Sequence, residues 1–160
     1  GELLEMLGVG ILLPLFMCIL QSGTFLQKDL YGIILPFGFL ALSSAIASGL
    51  SDEQSDKEGG KRTFVTLFGN RNARIFIELL VILSVILALI LAKIQLAPFA
   101  TSIIGLVQLV IVYFYMKMRG VSKLAVSNAF KMQKIYKLYL HQAIWWSATI
   151  FACMLFISIY

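Results

Sequence analysis

Apolar residues run through this chain in long unbroken blocks, not in alternation with polar ones. Five blocks stand out, over residues 3–21, 31–50, 74–93, 97–118 and 138–160. Each approaches the roughly 20 residues a helix needs to cross about 30 Å of hydrocarbon. In lipid, only helices and closed barrels satisfy their own backbone hydrogen bonds. The strict two-residue alternation of a barrel strand is missing from the blocks, which leaves helices. The pattern predicts an all-α integral membrane bundle of about five transmembrane helices. It reads as a single domain over 1–160, with a polar motif loop over 51–73. Pro14, Pro36 and Pro98 fall inside or at the start of spans, where neighbouring helices can satisfy freed carbonyls. Ala41, Ser44, Ala45, Ser48 and Gly49 give the second span a small-residue stripe suited to close helix contact.

Composition agrees. Of 160 residues, 60% are hydrophobic and 13% charged, against about 25% charged in soluble domains. The net charge of +5 is distributed as a membrane protein distributes it. Lys57, Lys61, Arg62, Arg71 and Arg74 separate spans two and three. Lys117, Arg119, Lys123, Lys131, Lys134 and Lys137 separate spans four and five. The other two connections hold only Lys28 and Lys93. The basic-rich side is cytoplasmic by the positive-inside rule. The N-terminus and the Asp52–Thr63 loop then face the cytoplasm, and Tyr160 lies on the opposite side. The charge meets anionic lipid, not nucleic acid, since no nucleic-acid motif accompanies it. Leu124, Phe130, Ile135 and Leu138, interleaved with lysines, predict a basic amphipathic helix over 120–137, lying on the membrane surface or acting as a lid. Cys18 and Cys153 sit in apolar runs and make no disulfide or metal pattern. The start of the chain has no basic region or cleavage site of a signal peptide.

The chemistry is concentrated directly after the second span, in Ser51-Asp52-Glu53-Gln54-Ser55-Asp56-Lys57-Glu58-Gly59-Gly60-Lys61-Arg62-Thr63. If the second helix continues past Leu50, then Asp52, Asp56 and Gly60 fall at i, i+4 and i+8 on one face. Two like charges at that spacing repel slightly, and a cation between them reverses the sign. Mg²⁺ is typically held by one or two carboxylates plus substrate phosphates. Gly60 would leave room for an anion. Lys61 and Arg62 would offer a point charge and a forked donor to phosphate oxygens. The alternative is a solvated loop whose mixed charges serve only solubility.

Asp-x-x-x-Asp-x-x-x-Gly-x-x-Thr, carried by Asp52, Asp56, Gly60 and Thr63 and followed by Phe68-Gly69, resembles the second aspartate-rich motif of the UbiA-type intramembrane prenyltransferase superfamily. Two spans precede the motif and three follow it. This is similar to the C-terminal half of that superfamily's nine-helix fold, where the motif follows the sixth helix. The resemblance implies Mg²⁺-dependent transfer of a prenyl group from a prenyl diphosphate to a lipophilic acceptor. That acceptor is often aromatic, and Lys61-Arg62-Thr63 is similar to members using quinone precursors of the naphthoate type. It implies Asp52 and Asp56 as catalytic metal ligands, and Lys61 and Arg62 as diphosphate contacts. Lys57, Glu53 and Arg71 become supporting partners, while Thr63 and Gly69 shape the loop and the start of the next helix. The first motif of that superfamily, Asn-x-x-x-Asp-x-x-x-Asp, does not occur in these residues. The acids before Asp52 are Glu2, Glu5 and Asp29. A missing N-terminal half or a partner membrane chain would supply it. A non-catalytic subunit or scaffold in a larger complex is the competing expectation.

Other polar residues have plainer readings. His141 is expected at the interface or packed, with a general base as its functional alternative. Arg74 and Glu78 suggest a helix-end ion pair. Gln108, at mid-span, suggests a contact between helices or with substrate. Trp145, Trp146, Tyr136 and Tyr139 fit an aromatic belt. A transporter is weakly supported, since Glu78 is the acid lying clearly inside a span. The apolar spans exclude a soluble prenyl diphosphate synthase.

Overall fold

The apolar blocks become five helical rods joined by short turns. The structure, a computed structural model, describes the backbone of residues 1–23, 28–95 and 98–159 and, within these, the side chains of 1–20, 34–94 and 101–149. The first rod comprises α1 (Glu2–Glu5), a π-helical stretch (Met6–Leu12) and α2 (Leu13–Ser22). It is followed by α3 (Lys28–Glu58), α4 (Phe64–Gln95), α5 (Pro98–Ser122) and α6 (Phe130–Ile159). There are no strands among the described residues. Four rods are long and apolar enough to cross a membrane. The fifth expected span falls in α6, and its side chains beyond 149 lie outside the described residues.

The prolines mark local adjustments. Leu13 donates its N–H to Gly8 O, five residues back, just before Pro14. Pro14 brings no N–H of its own, and the turns ahead of it widen into the π form. Pro98 opens α5, where a missing N–H costs least. Pro36 lies inside α3, and its carbonyl accepts the Ser84 hydroxyl of α4 at 2.8 Å.

α3 is the hub. It packs along α4 and also touches the π stretch, α1 and α6, while α5 lies between α4 and α6. Where every side chain around a helix is apolar, close approach selects the contact faces. A Cβ placed on Gly10 would stand 2.7 Å from the Ala41 Cβ, and one on Gly49 would stand 3.2 Å from Val65 Cγ2. The small-residue stripe of α3 therefore receives both the first rod and α4. The shared core joins Leu40, Ile46 and Leu50 of α3, Val65, Ile77 and Val81 of α4, Val107, Ile111 and Met118 of α5, and Tyr136 and Leu140 of α6. Leu79, Leu83, Ile86 and Ile90 on the outer face of α4 stay exposed, as a lipid-facing stripe requires.

Three expectations change. The 120–137 segment is not one amphipathic helix. α5 ends at Ser122, and α6 starts at Phe130. Between them the chain turns, with Asn128 at φ +67°, a conformation Asn tolerates better than most residues. The 51–73 segment is mostly helical: α3 runs on to Glu58 and α4 starts at Phe64, which leaves only 59–63 as the turn. Gln108 is 3% exposed, but neither side-chain polar atom has a protein partner among the described residues, so it makes no helix-bridging hydrogen bond.

Candidate functional site

Because α3 continues through Glu58, Asp52 and Asp56 lie one helical turn apart on one face. Asp52 is exposed. The Asp56 side chain is only 11% exposed, and its Oδ1 accepts from Lys61 Nζ at 3.3 Å. Glu53, one residue on from Asp52, is turned about 100° around the helix and points inward. Its carboxylate takes Lys57 Nζ at 2.7 Å and the Ser127 hydroxyl at 2.6 Å. The acids thus divide: Asp52 and Asp56 share one face, with Asp56 held under Lys61, and Glu53 ties α3 to the α5–α6 turn.

Gly60 does not continue the aspartate stripe as its eighth position. The helix has ended, and Gly60 sits at φ +67°. Lys61 N–H bonds to Asp56 O at 2.8 Å, and Gly60 N–H bonds to Lys57 O at 3.2 Å. This is a Schellman cap with glycine in its left-handed position. A Cβ on Gly60 would meet nothing within 4 Å, so backbone conformation selects glycine, not room for a ligand. The cap has a chemical consequence. It reverses the chain directly after Asp56 and brings the Lys61 ammonium back over that carboxylate.

α4 then starts on a reciprocal cap. Thr63 Oγ1 accepts Thr66 N–H at 3.2 Å, and Thr66 Oγ1 accepts Thr63 N–H at 2.8 Å. The hydroxyl of Thr66 also donates to Lys61 O at 3.0 Å. Phe64 N–H is taken by Glu2 Oε1 at 2.7 Å, an acid at a helix N-terminus, where the backbone dipole favours it. We expect Thr63→Ala to cost about 1 kcal/mol, read as a lower unfolding midpoint in detergent. No change would mean that the cap is not stabilising. Gly69, at φ +80° and ψ 158°, breaks α4 after its first turn. Thr63 and Gly69 thus shape the loop and helix start as expected.

Arg74 is 7% exposed. It forms no ion pair with Glu78 among the described residues. Its Nε donates to Asn70 Oδ1 at 2.8 Å, and its Nη1 donates to the Ser122 hydroxyl at 3.3 Å. Burial favours these short neutral partners, which bind α4 to α5. The Tyr136 hydroxyl donates to Arg74 O at 3.3 Å, and burial pushes that phenol above its usual range. Arg62 and Arg71 are exposed and reach none of these groups.

Along the α3–α6 seam, the Ser44 hydroxyl lies 3.2 Å from His141 Nε2, and Lys137 Nζ donates to Ser51 Oγ at 3.3 Å. His141 also stacks on Trp145, with ring centroids 6.2 Å apart, which makes it a packed histidine. Sequence reasoning missed Ser51, Ser127 and Glu2. Each acts through a partner 62 to 86 residues away, and local spacing gives no sign of them.

Among the described residues, no three acidic, histidine or cysteine groups converge. These residues therefore build no closed metal cage. Two hard carboxylates one turn apart, Asp52 exposed and Asp56 beside Lys61, fit the kind of Mg²⁺ site that substrate phosphates complete. No curated protein and no solved structure matches the chain. The family model described as UbiA prenyltransferase family matches residues 6–138, which include the whole motif, its cap and all but the last part of the bundle. The chain belongs to the UbiA prenyltransferase family.

Proposed function

We propose that this chain supplies one wall of a Mg²⁺-dependent diphosphate site in an intramembrane prenyltransferase, with Asp52 and Asp56 as metal ligands. The observation that carries this is the aspartate pair one turn apart at the polar end of α3, with Lys61 Nζ 3.3 Å from Asp56 Oδ1. Bound Mg²⁺ would neutralise charge building on the leaving diphosphate. Lys61, held over the site by the Schellman cap, would move from Asp56 to a phosphate oxygen. Arg62, exposed on the same turn, would add a forked donor. The apolar interior of the bundle would keep water from the allylic cation. The acceptor is lipophilic, with a quinone-precursor ring as the favoured class. The facing wall would come from an N-terminal half or a partner membrane chain. We place the motif on the cytoplasmic side, on the strength of the basic residues gathered there.

The test is binding of geranyl diphosphate to the full-length protein, with any partner chain, in lipid nanodiscs. Affinity should rise at least tenfold with Mg²⁺ and fall back with EDTA. Binding that ignores Mg²⁺, or no binding, would overturn the proposal in favour of a non-catalytic membrane subunit.

A further inference from the structure

A cavity of about 520 Å³ opens on the α3–α6 seam, lined by Ser51, Phe130, Lys134, Lys137, Leu138 and His141. Its lining divides into a polar end and apolar walls. Lys137 is held at the polar end by its bond to Ser51. Lys134 is one turn earlier on α6 and exposed. No carboxylate lines the cavity. Among the described residues, none stands within ion-pair distance of either lysine; the acids that pair with a lysine, Glu53 and Asp56, are matched to Lys57 and Lys61. Two positive charges in a largely apolar recess are therefore uncompensated among the described residues.

The surroundings indicate the occupant. Phe130, Lys134, Leu138 and Trp145 follow one another along α6, and all are exposed. Starting from Phe130, this face runs from the basic end of the helix toward its apolar length, with two lysines above and a tryptophan below. A free inorganic ion would use the lysines but leave the apolar walls wet. A membrane lipid uses both, with its phosphate at the ammonium groups and its chain along Leu138 and Trp145. Basic pockets between transmembrane helices bind anionic head groups in this way.

We propose that the α3–α6 cavity is a binding site for one anionic phospholipid, its head group held by Lys134 and Lys137 and its acyl chain lying on Leu138 and Trp145. The site shares no lining residue with the aspartate pair and does not depend on that reading.

Trp145 is a built-in reporter, and Trp146, with any tryptophan outside these 160 residues, can be replaced by Phe so that Trp145 alone emits. In this background the full-length protein is reconstituted in phosphatidylcholine containing brominated-chain phosphatidylglycerol, or in phosphatidylglycerol containing brominated-chain phosphatidylcholine. Quenching should show a preference of about five- to thirtyfold for the anionic lipid, the upper figure being the expected limit for two lysines. Lys134→Gln with Lys137→Gln should reduce it to near unity. Equal quenching by both lipids, or a preference that survives the double substitution, would overturn the proposal. If 10 mM inorganic phosphate abolished the preference where chloride at equal ionic strength did not, the site would belong to a free anion, and the lipid assignment would fail. Helix content by circular dichroism and the unfolding midpoint in detergent should be unchanged in the double variant, which distinguishes loss of the lipid site from loss of the fold.

Discussion

Asp52→Asn and Asp56→Asn should each lower prenyl transfer by about a hundredfold or more, the usual scale for losing one charge-stabilising group at a reacting centre. Asn preserves size and hydrogen bonding, so what is lost is the anionic oxygen that a divalent cation requires. The two substitutions differ in a useful way. Asp52 is exposed and has no side-chain partner, and its removal should leave the fold alone. Asp56 also holds Lys61 at 3.3 Å, so its replacement releases the lysine as well. The Lys61 side chain is 66% exposed, and a surface pair of that kind is worth at most about 1 kcal/mol. The activity loss in Asp56→Asn is therefore assigned to the site when helix content is unchanged. Transfer of a radiolabelled prenyl group, with both walls of the site present, is the measurement, and helix content by circular dichroism is the control. Full activity in both variants would overturn the metal assignment.

Gly69→Ala should be among the most destabilising single changes outside the core, at about 1–3 kcal/mol. At φ +80° and ψ 158° the backbone occupies a region essentially reserved for glycine. Space is not the issue, because a Cβ there would meet nothing within 4 Å. Alanine must therefore strain the chain or straighten α4 through Phe68 and Asn70. Straightening would swing the capped turn at Thr63 and, with it, the Lys61–Arg62 end of the motif. Gly105→Ala is the matched control, since that Cβ is equally unobstructed and Gly105 carries no positive φ. It should lose nothing. Unfolding in detergent by urea or heat would show the contrast, and equal midpoints for the two variants would rule out the strain argument.

Much of this architecture was legible before any coordinates. The apolar runs were long enough to read as spans without reference to tertiary packing. The Asp52–Asp56 spacing was readable because both residues lie on one uninterrupted helix, where sequence separation translates directly into angle. The same logic misled at Gly60. Counting by fours assumes that the helix goes on, and Gly59-Gly60 is where it stops. It misled again at Arg74 and Glu78, where correct spacing for an ion pair lost to Asn70 and Ser122, one of them 48 residues away. The 120–137 segment has the composition of a surface helix, yet the bond from Ser127 to Glu53 fixes a turn there. What stayed hidden was every contact made across the bundle, because no local period encodes it.

The bond from Phe64 to Glu2 bears on the order in which the protein is made. It closes a span of 62 residues, and the acceptor leaves the ribosome long before the donor. When the first turn of α4 emerges, the carboxylate that completes its cap is already present on the first rod. Capping of α4, and with it the Lys61–Arg62 turn that precedes it, therefore draws on correct insertion of the first rod. A defect in the first rod would surface at the start of α4 rather than as a missing helix.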